Sequence, residues 1–255
     1  MLKIAFLFLT IADVYHQDHW KDFFAGHEDA HSLYAHSKEH LKTGDFLKPY
    51  EMTYKIDTTW ANTMRAQIEL LRVALQDSEN TKFIFISEST IPLQNFDTVY
   101  ARIMSDEKSM FYFVSSPYVG NTWGPRNLQP IPQDKQYKNS QWVVLNRKHA
   151  QLMVDDRYYI DIITRYPCDQ EHYPSTLLIN CGLIDEIIRV STTYVEWGVK
   201  AEKYPYHFTD LRDPSELSML INAQRLGFLF ARKITEKCDL TLLNRYLPYR
   251  WEYQT

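Results

Sequence analysis

The chain has 255 residues with a formal net charge of −4, 45% hydrophobic and 24% charged residues. That balance fits one large globular domain or two small ones, and the absence of a Lys/Arg run argues against duplex nucleic acid as a partner. The odd, low cysteine count (Cys168, Cys181 and Cys238) argues against a disulfide framework and points to a reducing compartment, with Cys168 and Cys181 expected as two buried thiols.

The opening run Lys3 to Leu9 is continuously apolar after its lysine, as in a strand buried on both faces. It is too short to span a membrane or to be a signal-peptide core, and no small-residue cleavage site follows. A cytoplasmic protein is the resulting expectation. Trp20, Phe23 and Phe24 give a helical stripe within residues 12 to 30, and residues 32 to 36 read as a second strand. From Trp60, the apolar positions Ala61, Met64, Ile68, Leu71 and Leu75 recur at helical spacing. Phe83 to Ile86 is a further buried strand, so the order strand–helix–strand predicts an α/β sheet with right-handed crossovers.

Residues 96 to 104 read as a helix and 111 to 114 as a strand. Residues 115 to 140 are rich in proline and polar groups and read as a long loop, a length usually associated with function or mobility. A strand at 142 to 145, a helix at 147 to 154, a helix carrying Pro174 near its first turn and capped by Asp169, a strand at 192 to 197 and a final helix at 215 to 230 complete the reading.

Two stretches carry potential chemistry by pattern alone. His27-Glu28-Asp29-Ala30-His31 fits H-E-x-x-H, in which two histidines one helical turn apart bind zinc beside a general base. A zinc hydrolase is therefore a rival reading, although the flanking Gly26 and the strand-like residues that follow leave little room for a helix. His36 and His40 share the spacing and raise the same question. The second stretch is Cys168-Asp169-Gln170-Glu171-His172, an acidic segment leading into a helix. Glu171 there is either a helix-start carboxylate favoured by the dipole or a general base.

Six blocks, in order, carry a resemblance that spans nearly the whole chain: the first strand to Thr10, Ser87-Glu88-Ser89-Thr90-Ile91-Pro92-Leu93, Lys138-Asn139-Ser140-Gln141-Trp142, Cys168 to Thr176, Tyr194 to Trp197, and Leu229-Phe230-Ala231-Arg232-Lys233. Together they resemble the core-2/I-branching β-1,6-N-acetylglucosaminyltransferase family, which includes protein xylosyltransferases and plant homologues. Gln170 and Asn139 depart from the family pattern, as does the order around Pro174. Eukaryotic members of that family are usually tethered in the Golgi lumen.

The resemblance implies a GT-A-like fold, a mixed and mainly parallel sheet flanked by helices. Residues 1–114 would form a nucleotide-binding half and 115–255 an acceptor and catalytic half of a single glycosyltransferase domain. It implies a UDP-sugar donor, N-acetylglucosamine first and xylose second, and a glycan or glycoprotein acceptor. By carry-over Glu171 is the base, and Lys233 with Arg212, or alternatively Arg232, holds the donor diphosphate. Glu88, Ser89, Ser140, Gln141, Trp142 and Trp197 are expected at the sugars, and Thr10 and His36 at the nucleotide. No metal or other cofactor is expected: Ser87-Glu88-Ser89 offers one carboxylate where many GT-A enzymes have Asp-x-Asp, and a divalent ion needs several oxygen ligands. A catalytically inactive sugar-nucleotide-binding relative is the alternative within the same resemblance.

Overall fold

A computed structural model describes residues 1–115, 128–197 and 204–247. The opening run forms β1 (Lys3–Thr10), followed by α1 (Gln17–Phe24), β2 (His31–Ser37), α2 (Met64–Ala74) and β3 (Asn80–Ser87). β1 lies between β2 and β3, parallel to both. Both of its side-chain sets are apolar because both faces of the sheet are covered. Ala5 and Leu7 face one core with α2, while Ile4, Phe6 and Phe8 face the other with α1. That second core is aromatic: Phe6 meets Phe24 edge-to-face at 4.9 Å, and Phe8 meets Trp20 at 5.2 Å.

The sheet continues from β3 through β8 (Val144–Asn146) and β5 (Ser109–Met110) to β9 (Ile187–Ile188). β8 is antiparallel to both its neighbours and β9 is parallel to β5, so the architecture is the expected mixed, mainly parallel α/β sheet flanked by helices. α3 (Phe96–Met104) covers the α1 face; α4 (Arg147–Asp155), α5 (Tyr158–Ile163) and α6 (Tyr173–Asn180) cover the α2 face. A second sheet stands beyond the end of β3. There β4 (Thr90–Pro92) pairs antiparallel with β11 (Phe230–Arg232), which runs parallel to β10 (Thr193–Val195). Its own core, with Leu220 and Ala223 of α7 (Pro214–Arg225), includes Phe208, Leu211 and Ile234.

Several expectations are corrected. The strand expected at 111–114 is split: β5 ends at Met110, and the chain leaves the main sheet to form β6 (Phe113–Ser115) against β7 (Tyr137–Asn139). Residues 116–127 of the expected long loop lie outside the described residues, but its far end is β7. The final helix stops at Arg225, because Gly227 takes the left-handed backbone (φ +88°) that turns the chain into β11. H-E-x-x-H is a turn running into β2; the His31 ring stacks on Phe24 at 4.5 Å, and its Nδ1 bonds the His27 carbonyl. The two histidines therefore do not share a helix face. His40 is exposed. The cysteines are free, Cys168 buried but Cys181 exposed.

Asp169 does not cap the helix that follows it. Its buried carboxylate accepts the N–H groups of Thr63 and Met64 at 3.0 and 3.2 Å, closing the N-terminus of α2, and also that of Gln170. Burial pushes this carboxyl up to about 6 despite the donors that favour its charged form. The folded state thus holds a proton that the unfolded chain releases near pH 3.8, so Asp169 destabilises progressively as pH rises from there through about 6. His172 works in the opposite sense, since burial drives it down to about 4. Asp169→Asn keeps an acceptor oxygen without the charge. Relative to the native protein it should gain stability between about pH 4 and pH 7, by up to ~3 kcal/mol in urea unfolding; an equal difference at both pH values would contradict this.

Candidate active site

The carboxyl ends of adjacent parallel strands are where open α/β sheets bind ligands, and three of the sequence candidates lie there. Thr10 ends β1, His36 lies at the end of β2, and Glu88 follows β3. Thr10 and His36 are buried, and Thr10 Oγ1 and His36 Nδ1 lack hydrogen-bond partners among the described residues. His36 Nε2 accepts the Ile56 N–H at 2.9 Å, which fixes the ring with its proton on Nδ1, and burial lowers its affinity for a second proton.

Glu88 sits in a tight link between the two sheets. Ser87 Oγ bonds Thr90 Oγ1 at 2.8 Å and Ser89 Oγ at 3.3 Å, so Ser89 is turned into the link. The Glu88 carbonyl accepts Tyr15 N–H at 3.0 Å, and the Ser89 carbonyl accepts Ile234 N–H at 2.9 Å. With β4 paired to β11, these bonds draw Arg232 and Lys233 alongside Glu88. Burial and the mutual repulsion of the two cations lower Lys233, while Glu88 holds it up.

Arg232 is the centre of the cluster. Its guanidinium carbon lies 4.3 Å above the centroid of the Trp142 ring. Nε is buried and has no hydrogen-bond partner among the described residues. Burial lowers the group to about 10, opposed by the charges of Glu88 and Glu171. Trp142 belongs to the main core, 4% exposed, so it braces the site from beneath, and its backbone N–H donates to Ser140 Oγ at 3.4 Å. Gln141 is half-buried beside it.

Glu171 occupies a 3-10 turn, Asp169–Glu171, just ahead of α6. Three contacts hold that turn: Cys168 in the left-handed region (φ 62°) donates its N–H to the Ala61 carbonyl, Asp169 grips α2, and Asn139 Nδ2 donates to the Gln170 carbonyl at 3.0 Å. A non-glycine left-handed residue next to a carboxylate is strain of the kind found at functional sites. The Glu171 Oε2 atom is 2.9 Å from Lys138 Nζ, which orients the carboxylate. The Lys138 block matched by sequence, but this pairing was not anticipated; an i-to-j distance across the fold leaves no trace in local spacing.

Arg212 is exposed and bidentate to Asp210, at 2.7 and 3.0 Å. Arg232, the alternative, is the guanidinium placed with Lys233, Glu88 and Glu171. Trp197 is 56% exposed, just beyond β10. Among the described residues no group of three or more His, Cys, Asp or Glu is arranged to hold a metal ion. No helix there is long and apolar enough to cross a membrane.

The family model for the Core-2/I-Branching enzyme matches residues 4–219, which takes in β1, the Glu88 link, Trp142 and Glu171. The chain belongs to the Core-2/I-Branching enzyme family. Among curated proteins it is similar to the rice (Oryza sativa subsp. japonica) protein Glycosyltransferase BC10, 28% identical over 236 residues, 79% of this chain and 59% of that protein's length. This Core-2/I-Branching chain therefore spans under two thirds of that relative. Among solved structures it is similar to an active-site mutant of LgtC, with a TM-score of 0.48 and 8% identity over 94% of this chain and 93% of that one. It is also similar to the WbbM bifunctional glycosyltransferase, with a TM-score of 0.48 and 9% identity over 96% and 49%.

The two tryptophans should separate cleanly on substitution. Trp142→Ala removes a core ring and the seat of Arg232, and should cost about 3–5 kcal/mol in urea unfolding. Trp197→Ala should stay within about 0.5 kcal/mol, as for other surface changes.

Proposed function

We propose that this chain is an inverting, metal-independent glycosyltransferase that moves a sugar from a UDP-sugar to a hydroxyl of a glycan or protein acceptor. N-acetylglucosamine is the favoured donor sugar and xylose the second. Family membership supports the reaction class. The observation that carries the mechanism is the Arg232 guanidinium, seated on Trp142 with its Nε unpartnered among the described residues, between Glu88 and Glu171.

Inverting transfer is one in-line displacement at the anomeric carbon. The acceptor hydroxyl loses its proton as it attacks, and negative charge builds on the departing diphosphate. Glu171 takes the proton; Lys138 at Oε2 leaves Oε1 to face the acceptor. Arg232 supplies a fork of donors and Lys233 a point charge to the diphosphate, both partly desolvated and so effective where charge develops. Glu88, between them and the sheet, orients sugar hydroxyls, and Thr10 and His36 sit where the nucleoside would lie. In this reading residues 1–114 supply the nucleotide side and 115–255 the acceptor and catalytic side. Arg212 is left as a surface ion pair.

The test is transfer from UDP-N-acetylglucosamine and UDP-xylose, each with and without EDTA, together with UDP affinity. Glu171→Gln should lower turnover by about 10²–10⁴-fold with UDP affinity kept. Arg232→Ala and Lys233→Ala should each weaken UDP binding by about tenfold or more, whereas Arg212→Ala should change it little. A strict manganese requirement would overturn the metal-independent mechanism. UDP binding without turnover of any donor would mark the chain as a non-catalytic sugar-nucleotide binder.

A further inference from the structure

Trp60 is 70% exposed, an unusual place for the largest apolar side chain, and the glycosyl-transfer mechanism above leaves it unused. It is not on a floppy stretch. Thr59 and Asn62 exchange backbone hydrogen bonds at 3.1 and 3.3 Å, so Trp60 and Ala61 form the tip of a closed turn. Four further bonds fasten that turn to the segment carrying Glu171. Ala61 accepts the Cys168 N–H, Asn62 Nδ2 donates to the Tyr166 carbonyl at 2.8 Å, and the N–H groups of Thr63 and Met64 meet Asp169. A second aromatic approaches from the other side of the cluster: Tyr204, 49% exposed, meets Trp60 edge-to-face with ring centroids 6.0 Å apart. Tyr204 lies close in the chain to a backbone bond from Tyr206 N–H to the Glu196 carbonyl, at 2.8 Å.

An exposed, rigidly seated indole with a tyrosine edge at its side presents a flat π-face to solvent. The C–H face of a pyranose ring matches such a surface: it is flat and weakly polarised positive, while the ring's hydroxyls stay in water. We infer that Trp60, flanked by Tyr204, is a stacking subsite for a pyranose unit of the acceptor glycan, one sugar or more removed from the reacting hydroxyl. The subsite falls to the acceptor rather than the donor because its turn is bolted to the Glu171 segment, and Glu171 is the group that must touch the acceptor hydroxyl. The proposed diphosphate cations lie at the end of β11 (Arg232) and directly after it (Lys233). The acceptor is then an oligosaccharide of β-linked pyranoses, whose axial hydrogens form a continuous apolar face, and not a lone protein side-chain hydroxyl.

This inference rests on the glycosyl-transfer reading, and its test separates the two. Intrinsic fluorescence titrations are run with cellobiose, lactose and xylobiose in the presence of UDP, and with UDP alone, on the native protein, Trp60→Ala and Trp60→Phe. At least one disaccharide should bind the native protein. Trp60→Ala should weaken that binding about fivefold or more, and Trp60→Phe by less, with UDP affinity and the melting temperature unchanged in both. Equal disaccharide affinity in Trp60→Ala overturns the subsite, as does the failure of all three disaccharides to bind. A parallel loss of UDP-sugar but not UDP affinity moves Trp60 to the donor sugar and likewise overturns it. If UDP itself does not bind the native protein, the transferase reading fails first.

Discussion

A guanidinium on an indole is the interaction on which the rest of the site depends. Arg232 is brought to Trp142 by three separate pieces of chain: β4 pairing with β11, the Glu88 link between the sheets, and the Ser140–Trp142 approach to β8. Moving a cation out of water is unfavourable unless something takes the place of the solvent. Here the π-face and the two flanking carboxylates do so in part, leaving one N–H without a partner among the described residues. A phosphate oxygen is a natural completion of that arrangement.

The same logic orders the other charges. Glu171 is steadied by Lys138 from β7, whereas Lys233 and Arg232 repel one another and are both partly desolvated. Burial, and after it the charges of Lys233 and Arg232, lower His207. Arg232 at the end of β11 and Lys233 just after it stand together, while Glu171, paired with Lys138, lies on a separate turn. That separation is what an in-line displacement between a leaving anion and an incoming alcohol calls for.

How much of this was legible follows from the range of each signal. β1 and β3 announce themselves because a strand covered on both faces must be apolar throughout, and α3 runs over 96–104 as its periodicity says. The strand at 111–114 misled because aromatic β-formers continue across a point where the chain changes sheets; composition does not mark which partner a strand chooses. Asp169 precedes a helix start but serves α2, more than a hundred residues earlier in the chain. Glu171, Glu88 and Trp142 were reached through block resemblance, and the fold brings them to one cluster. Arg212 and Arg232 are alike as residue types; only the β4–β11 register distinguishes the surface one from the seated one. Trp60 carried no signal beyond the start of a helical stripe, because exposure is a property of the finished surface.

The clamp formed by Asp169 has a mechanical side. One buried carboxylate holds the first turn of α2 and the start of the Glu171 turn at once, and the Ala61 carbonyl ties the strained Cys168 to the same place. The loop bearing Glu171 consequently has little freedom of its own, and its position is inherited from the rigid interior. In the proposed mechanism, substrates come to a stationary base rather than have it close over them. Fraying of that single helical turn, long before the sheet itself melts, would be enough to silence the chemistry on warming.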